Sequence, residues 1–498
     1  MRKKVTINKS TFDVPAFSQN EIKNEGKVYT PDVVTQDIVA RFPYFVDPSR
    51  VVADPSCGQG NLLRVVFQHR LTQTKSADQA FENIRGFELD PVGVQRAHEY
   101  FIEEGVSKKL VKQNIVQCNT LERYTKYTGT IDDVLGNPPY VRSPGNLPAS
   151  ITMNDNLVDA FFQVGMELLK PGNDHHLVYI VQDSFITNEI SPLREYFQQF
   201  NIKTLEHRFD YSQAFRRHDI AVDIALVELT KGPQQEFVDV SRHIPFKMPA
   251  ASFQTKEKWL IYPSVINDLA VKLGSVGYPL SSLCTIKKGR TVNQNGAVPA
   301  SYGSTTFSKK KTKEFSIPVL SEPNTGYFFP ESLTPLVFGK SVDKVIDKPF
   351  EPFVVLPYFT SKFRFCLIEQ DLLTTPLLYT LSGPNVKWLL PILNCSAVDF
   401  MIRYHTKSRD TGYEFKSSTF DRIIIPTLDS KGRKQMLHLV ELVRSGKISK
   451  EDCDRYVMDN VFKLSKEEQE LIEKCKVFWF KKNVKTLLAD PDFLATLS

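Results

Sequence analysis

Between residues 26 and 228 short β-branched runs alternate with amphipathic stretches, a pattern that few folds accommodate. The runs read "RVVADP", "IRGFELD", "LVKQNIVQ", "IDDVLG", "HHLVYIVQD", "IKTLEHRF" and "DIALVEL". Most neighbours are separated by enough chain for one helix. Strand–helix alternation of this kind predicts an α/β domain whose mostly parallel sheet is covered on both faces. After "LTKGPQQ" the pattern stops. Residues 245–430 are richer in Pro, Ser and isolated basic groups, with short runs such as "FEPFVVLPYF" and "FRFCLIEQ", and read as a mixed α/β second domain. From Lys431 apolar residues return at three- and four-residue spacing, so 431–498 reads as a helical carboxy-terminal segment. Residues 1–24 are polar and turn-rich, an arm ahead of a first domain over 25–240. A chain of 498 residues, 41% hydrophobic and 24% charged, has material for two or three such cores.

The formal charge of +6 permits a polyanionic partner without requiring one. Seven cysteines are scattered, with no CxxC pair and no Cys/His spacing of the kind that holds zinc. They read as free thiols, and no metal is expected. The opening "MRKKVTINKSTFDVP" lacks an apolar core and no later run is long enough to span a bilayer. A cytoplasmic protein with no membrane partner is the expectation.

Three stretches carry chemistry. "VVADPSCGQGNLL" ends a strand in Asp54, turns through Pro55, Gly58 and Gly60, and opens a helix. Two glycines let backbone approach a ligand closely, and the acid sits at the carboxyl end of a strand, where open α/β sheets bind ligands. A plain tight turn would use the same residues. "IRGFELDP" places Glu88 at the end of the next strand, where a carboxylate receives both hydroxyls of a ribose, or else caps the helix begun by Pro91. Together they suggest a nucleoside-containing cofactor, and no GKS or GKT follows the glycines to make a Walker loop. The third stretch is "VLGNPPYVR". Two consecutive prolines form a stiff frame that neither pairs in a sheet nor continues a helix. On it the Asn137 side-chain oxygen and the Pro138 carbonyl are fixed acceptors, which suits an amino group conjugated to a ring or carbonyl. Drawing both N–H bonds out of the conjugation plane frees the nitrogen lone pair to attack. Tyr140 offers a flat face for the ring.

In this order the motifs resemble the N6-adenine DNA methyltransferases of the gamma arrangement, the TaqI-like and Eco57I-like group. The resemblance covers residues 26 to about 230. It implies a Rossmann-like core with a seven-stranded, mostly parallel sheet, S-adenosylmethionine as cofactor, and double-stranded DNA as partner. "GKVYTP" resembles the opening motif, whose Thr30 contacts the methionine part of the cofactor. "DPSCGQG" departs from the family's DPACGSG at Ser56 and Gln59. Glu88 matches the ribose acid. In "VQCNTL" the family has an aspartate that binds the adenine amine, and here Asn119 stands in its place. Phe161, in "NLVDAFFQVGMELLKPG", matches an aromatic that packs on the cofactor's adenine, and it also reads as a core aromatic. "YSQAFRRHDIAVDIALVEL" resembles the motif whose loop phenylalanine, here Phe215, stacks on the flipped base. Arg216 and Arg217 could meet phosphate or remain solvated. The resemblance thus assigns Asn137, Pro138, Pro139, Tyr140 and Phe215 to catalysis. It assigns Thr30, Asp54, Pro55, Gly58, Gly60, Glu88, Asn119 and Phe161 to the cofactor.

The basic, amide-bearing stretches "TIKKGRTVNQNG", "FSKKKTKEF" and "RYHTKSRDTGYEFKSSTF" then read as parts of a target-recognition domain, although runs like "KKKTK" are also common as solvated loops. The context implied is a restriction-modification system whose nuclease, with no PD…(D/E)xK cluster in this chain, is a separate protein. Protein-glutamine N5 and RNA base methylation use the same NPPY chemistry and remain alternatives, with N4-cytosine close by.

Overall fold

In the computed structural model the described residues are 30–142, 147–153, 156–188, 191–216, 223–242, 244–288, 307–308, 315–320, 324–325, 330–332, 336–340, 352–357, 359–360, 363–369, 373–374, 378–406, 408–409 and 412–478. The expected arm over 1–24 lies outside them, as do Arg217 and most of the basic stretches at 289–314. The chain divides into two compact units, one ending at Ile261 and the other beginning at Tyr262.

The first unit is built on one sheet of nine strands: β1 Val52–Asp54, β2 Ile84–Glu88, β3 Ile115–Gln117, β4 Asp133–Gly136, β5 His176–Gln182, β6 Asn201–His207, β7 Ile224–Thr230, β8 Phe237–Arg242 and β9 Ile244–Pro249. Their spatial order is β3-β2-β1-β4-β5-β7-β6-β8-β9. β1 to β5 pair parallel, while β7 runs antiparallel between β5 and β6. The helices that matter below are α1 Asp32–Arg41, α2 Asn61–Leu71, α3 Ala77–Phe81, α4 Pro91–Glu103, α5 Lys108–Asn114, α6 Thr120–Arg123, α7 Leu157–Leu168, α8 Ser184–Thr187, α9 Pro192–Phe197 and α10 Phe209–Arg216.

Period-2 geometry explains how one sheet feeds two cores. Val52, Leu135, Val178, Ile180 and Leu226 join a cluster with residues of α1, α2 and α4. Their neighbours Ala53, Val134, Leu177, Tyr179 and Val227 join the opposite cluster, with α7 and α9. Because both sides are buried, these strands read as continuous apolar runs rather than alternating ones.

Three expectations are corrected. The sheet has nine strands, not the seven implied by the resemblance, because the β8–β9 hairpin extends its edge, with β8 parallel to β6. The first unit therefore runs past 240. Val238, Val240, Met248, Phe253, Trp259 and Ile261 pack into its core, and the change of texture near 231 marks a change of loop composition, not of core. "LVKQNIVQ" is not one strand. Lys108–Asn114 is helical and only Ile115–Gln117 is extended. Val111 and Asn114, three apart on that helix and both buried, follow the helical period that the β-branched count concealed.

In the second unit, Thr285–Lys288, Leu378–Ser382, Phe353–Pro357 and Cys366–Ile368 form an antiparallel sheet in that order. The helices α11 Ser264–Gly274, α12 Val386–Leu393, α13 Ser396–His405, α14 Ser417–Asp421, α15 Ser430–Arg444, α16 Lys450–Val457 and α17 Lys466–Phe478 complete it. The expected helical segment from 431 belongs to this same unit. Among the described residues, no helix is long and apolar enough to cross a membrane.

Candidate active site

Parallel strands put their carboxyl ends on one edge, so whatever follows β1, β2, β3 and β4 converges there. Asp54, Glu88, Asn119 and Asn137 are those residues, and all four line one cavity of about 510 Å³. Of the expected cofactor residues, all but Gly60 line it, and Asn137 and Pro139 represent the NPPY tetrapeptide.

The loop after β1 is shaped by its glycines. Gly58 and Gly60 have φ of 54° and 82°, a left-handed backbone that other residues adopt only with strain, and Gly60 is the N-cap of α2. Gly58 also donates its N–H to Glu88 Oε2 at 2.7 Å, while Asp90 N donates to Oε1 at 2.7 Å. One carboxylate thus ties the first loop to the start of α4, whose N-cap is Asp90. The helix cap falls to Asp90 rather than to Glu88, which lines the cavity.

The electrostatics are unusual. Asp54 is fully buried and accepts from Ser56 N at 2.9 Å. Burial, opposed by that bond and aided by the nearby Glu88 charge, pushes its carboxyl up to about 8. Burial also raises Glu88, against the three backbone N–H groups of Asp90, Gly58 and Leu89 that favour its ionised form. Among the described residues no cation pairs with either acid, so the cavity suits a cationic ligand.

Asn137 donates from Nδ2 to Thr30 Oγ1 at 3.1 Å, and its Oδ1 accepts from the Tyr140 hydroxyl. The same hydroxyl also lies 3.2 Å from the Ile180 carbonyl. Burial pushes the Tyr140 phenol well above its ordinary value, so it stays neutral. Asn61 Nδ2 bonds the Thr30 carbonyl at 3.1 Å, which ties the start of α2 to the same residue. Behind the tetrapeptide, a Cβ at Gly136 would lie 3.0 Å from the Tyr179 ring and 3.3 Å from Asp54 Oδ1, so the strand end must be bare. Pro138 is buried beneath the turn. Phe161 is a core aromatic, 7% exposed, that also lines the cavity.

Phe215 overturns its expectation. It lies within α10, not in a loop, and is fully buried with Tyr211, Ala214, Val178 and Leu226. Tyr211, Ala214 and Phe215 stand at i, i+3 and i+4, which makes one apolar helix face. It therefore has no ring face to offer a base. Phe215→Ala is accordingly expected to act on stability, lowering it by about 3–5 kcal/mol in denaturant titration, as large-to-small core changes do. Arg216, adjacent, pairs with Asp223 at 3.2 Å. Sequence reading also missed cavity residues: Leu89, Cys118, Leu121 and Leu157. Leu89 had a signal, an apolar residue pinned between the acid and the Asp-Pro break, and it is 66% exposed.

Residues 12–181 match the family model described as N-6 DNA methylase. No curated protein matches the chain. Among solved structures, the type IIL restriction-modification enzyme MmeI, in complex with DNA, is similar at 10% identity with a TM-score of 0.53, over 93% of this chain and 74% of that one. The type IIG restriction endonuclease BpuSI matches at 14% identity and TM-score 0.42, over 96% and 67%. The type I restriction enzyme EcoKI M protein matches at 18% and 0.34, over 45% and 51%, so this chain spans about half its length. The MmeI likeness speaks to the fold.

Proposed function

From the match of residues 12–181 to the N-6 DNA methylase family we propose that the protein methylates N6 of an adenine turned out of double-stranded DNA. The observation that carries the proposal is the shared cavity: Asn137 on its Pro-Pro frame opens onto the same space as Asp54 and Glu88. The residues fit S-adenosylmethionine, whose cationic, nucleoside-bearing structure meets two buried acids, and which when bound supplies an activated methyl group.

Each residue then has a definable task. Glu88, already accepting from the backbone at Gly58, Leu89 and Asp90, uses the lone-pair capacity left on its cavity side for the ribose diol. Asp54 and Thr30 face the cationic amino-acid end. Asn137 Oδ1 and the Pro138 carbonyl take the two N–H bonds of the target amine, which aligns its lone pair and accounts for catalysis by position and polarisation. The amide oxygen has two lone pairs, so Asn137 Oδ1 can accept the amine beside the Tyr140 hydroxyl, and the Ile180 carbonyl gives that hydroxyl a second acceptor, so no buried donor is stranded. Turning the base out costs a few kcal/mol, which stacking on the Tyr140 ring partly offsets at about 1–3 kcal/mol. The second unit, in this reading, recognises the target sequence, and cleavage belongs to a separate restriction endonuclease. The family match favours DNA over the glutamine and RNA alternatives.

The direct test supplies labelled S-adenosylmethionine with duplex DNA, RNA and protein substrates. Label on adenine N6 of the duplex is expected, and label confined to RNA or protein refutes the reading.

A pH dependence follows from Asp54. Its carboxyl is protonated below about 8 in the free protein, and a cationic ligand favours the ionised form. Binding must then release a proton, so affinity should rise about tenfold per pH unit from roughly 6 to 8 and level off above. Calorimetry in buffers of different ionisation enthalpy reads the proton directly. Asp54→Asn should flatten the slope, and a wild-type affinity independent of pH over that range would remove Asp54 from the ligand's surroundings.

A further inference from the structure

Asn119 stands where the resemblance leads to an aspartate, and the substitution raises a specificity problem. A carboxylate only accepts hydrogen bonds, so it selects a purine with an amino group at position 6. An amide carries an acceptor and a donor of nearly equal size, and turning it by half a rotation would suit a 6-oxo purine equally well.

Two contacts bear on that rotation. Asn119 is the N-cap of α6, and its Oδ1 accepts from Leu121 N at 3.2 Å. Its Nδ2 donates to Glu122 Oε1 at 2.8 Å. A backbone N–H can only donate and a carboxylate can only accept, so both contacts select the same orientation. Turned over, the amide would set N–H against N–H and oxygen against carboxylate. The arrangement also separates the two ends. Leu121, beside the oxygen, lines the cavity, whereas Glu122, beside the nitrogen, is solvent-exposed and does not. The acceptor is thereby held against the backbone of a cavity-lining residue and the donor against an exposed one.

We infer that Glu122 is a positioning residue that holds the Asn119 amide in one orientation and so sets the pocket's preference for a 6-amino over a 6-oxo purine. The inference rests on the nucleoside-cofactor reading above. Glu122 touches no ligand in this role, and the acceptor that a carboxylate would present unconditionally is here assembled from two residues on one turn of helix.

The test is equilibrium binding to the full-length protein of S-adenosylhomocysteine and of its 6-oxo counterpart, S-inosylhomocysteine. Neither carries a transferable methyl, so the readout is independent of turnover. The unaltered protein should prefer the 6-amino ligand by roughly 100-fold or more, as sites built around one hydrogen bond do. Glu122→Ala should reduce that ratio about tenfold, chiefly by tightening the 6-oxo ligand, while Glu122→Gln, which keeps an acceptor oxygen, should retain most of it. Adding Asn119→Asp to Glu122→Ala should restore discrimination, since a carboxylate needs no orienting. If Glu122→Ala weakens both ligands equally and leaves the ratio unchanged, Glu122 is merely structural and the inference is overturned. If the unaltered protein binds neither ligand, the cofactor reading fails first and takes this inference with it.

Discussion

Asn137→Ala is expected to lower methyl transfer to duplex DNA by about a hundred- to a thousandfold, the usual cost of removing one preorganised polar group that acts on developing charge. The loss should fall on the chemical step. In the proposed reaction Asn137 supplies one of two acceptors for the target amine, and without it the Pro138 carbonyl draws out only one N–H bond, which leaves the lone pair conjugated with the purine. The frame itself survives, because Gly136 ends β4 and Pro138 is buried whatever the side chain at 137. Affinity for S-adenosylhomocysteine should change by less than about threefold, since the Nδ2 contact to Thr30 beside the ligand is a neutral hydrogen bond of modest net worth. Single-turnover rates with a saturating duplex, set beside ligand titration, separate these effects. Transfer at the wild-type rate would remove Asn137 from the reaction.

The second large effect is on binding. Glu88→Ala removes the carboxylate that accepts from Gly58 N and Asp90 N at 2.7 Å each. Two things happen together. On the proposed reading the ribose loses its receiver, and the turn at Gly58 loses the bond that holds its left-handed backbone against the start of α4. Charge-assisted hydrogen bonds contribute about 1.5–3 kcal/mol each, so the affinity for S-adenosylhomocysteine should fall at least roughly 100-fold. Glu88→Gln separates the two contributions. Its single oxygen can serve one N–H while its NH₂ faces the other donor, so the loop should be disturbed almost as much as in the alanine variant. Unfolding midpoints should drop only modestly in both, because burial already holds the Glu88 carboxyl above its ordinary value and its ionised form is only partly compensated. Unchanged affinity in both variants would mean that the cavity holds something other than a nucleoside.

Why some of this was legible in advance has a physical basis. A strand followed by a tight turn is a local structure, and the residue at its end projects from the sheet edge whatever the rest of the chain does. Asp54, Glu88 and Asn137 could therefore be read at their positions from "ADPSCGQG", "FELDP" and "LGNPPY", where glycine and proline mark the turns. Parallel pairing of β1, β2 and β4 then brought those three ends together. The Asn119 substitution was visible too. Its partner Glu122 was not singled out, although a cap residue followed three places later by an acid has the spacing of a helix start.

The failures share another cause. The resemblance puts Phe215 in a loop, but its burial is decided by Val178 and Leu226, which lie on strands apart from it in sequence. The β8–β9 hairpin joins the sheet only because β6 has an open edge, and no feature of residues 237–249 announces that edge. Leu89 and Leu121 line the cavity because α4 and α6 leave the sheet at neighbouring strand ends. Chemistry that depends on a strand end and the turn after it is written within a few consecutive residues, because covalent geometry carries it there. Which aromatic is packed away, where the sheet ends and what closes the cavity are set by contacts between distant segments, whose energies exist only once those segments have met.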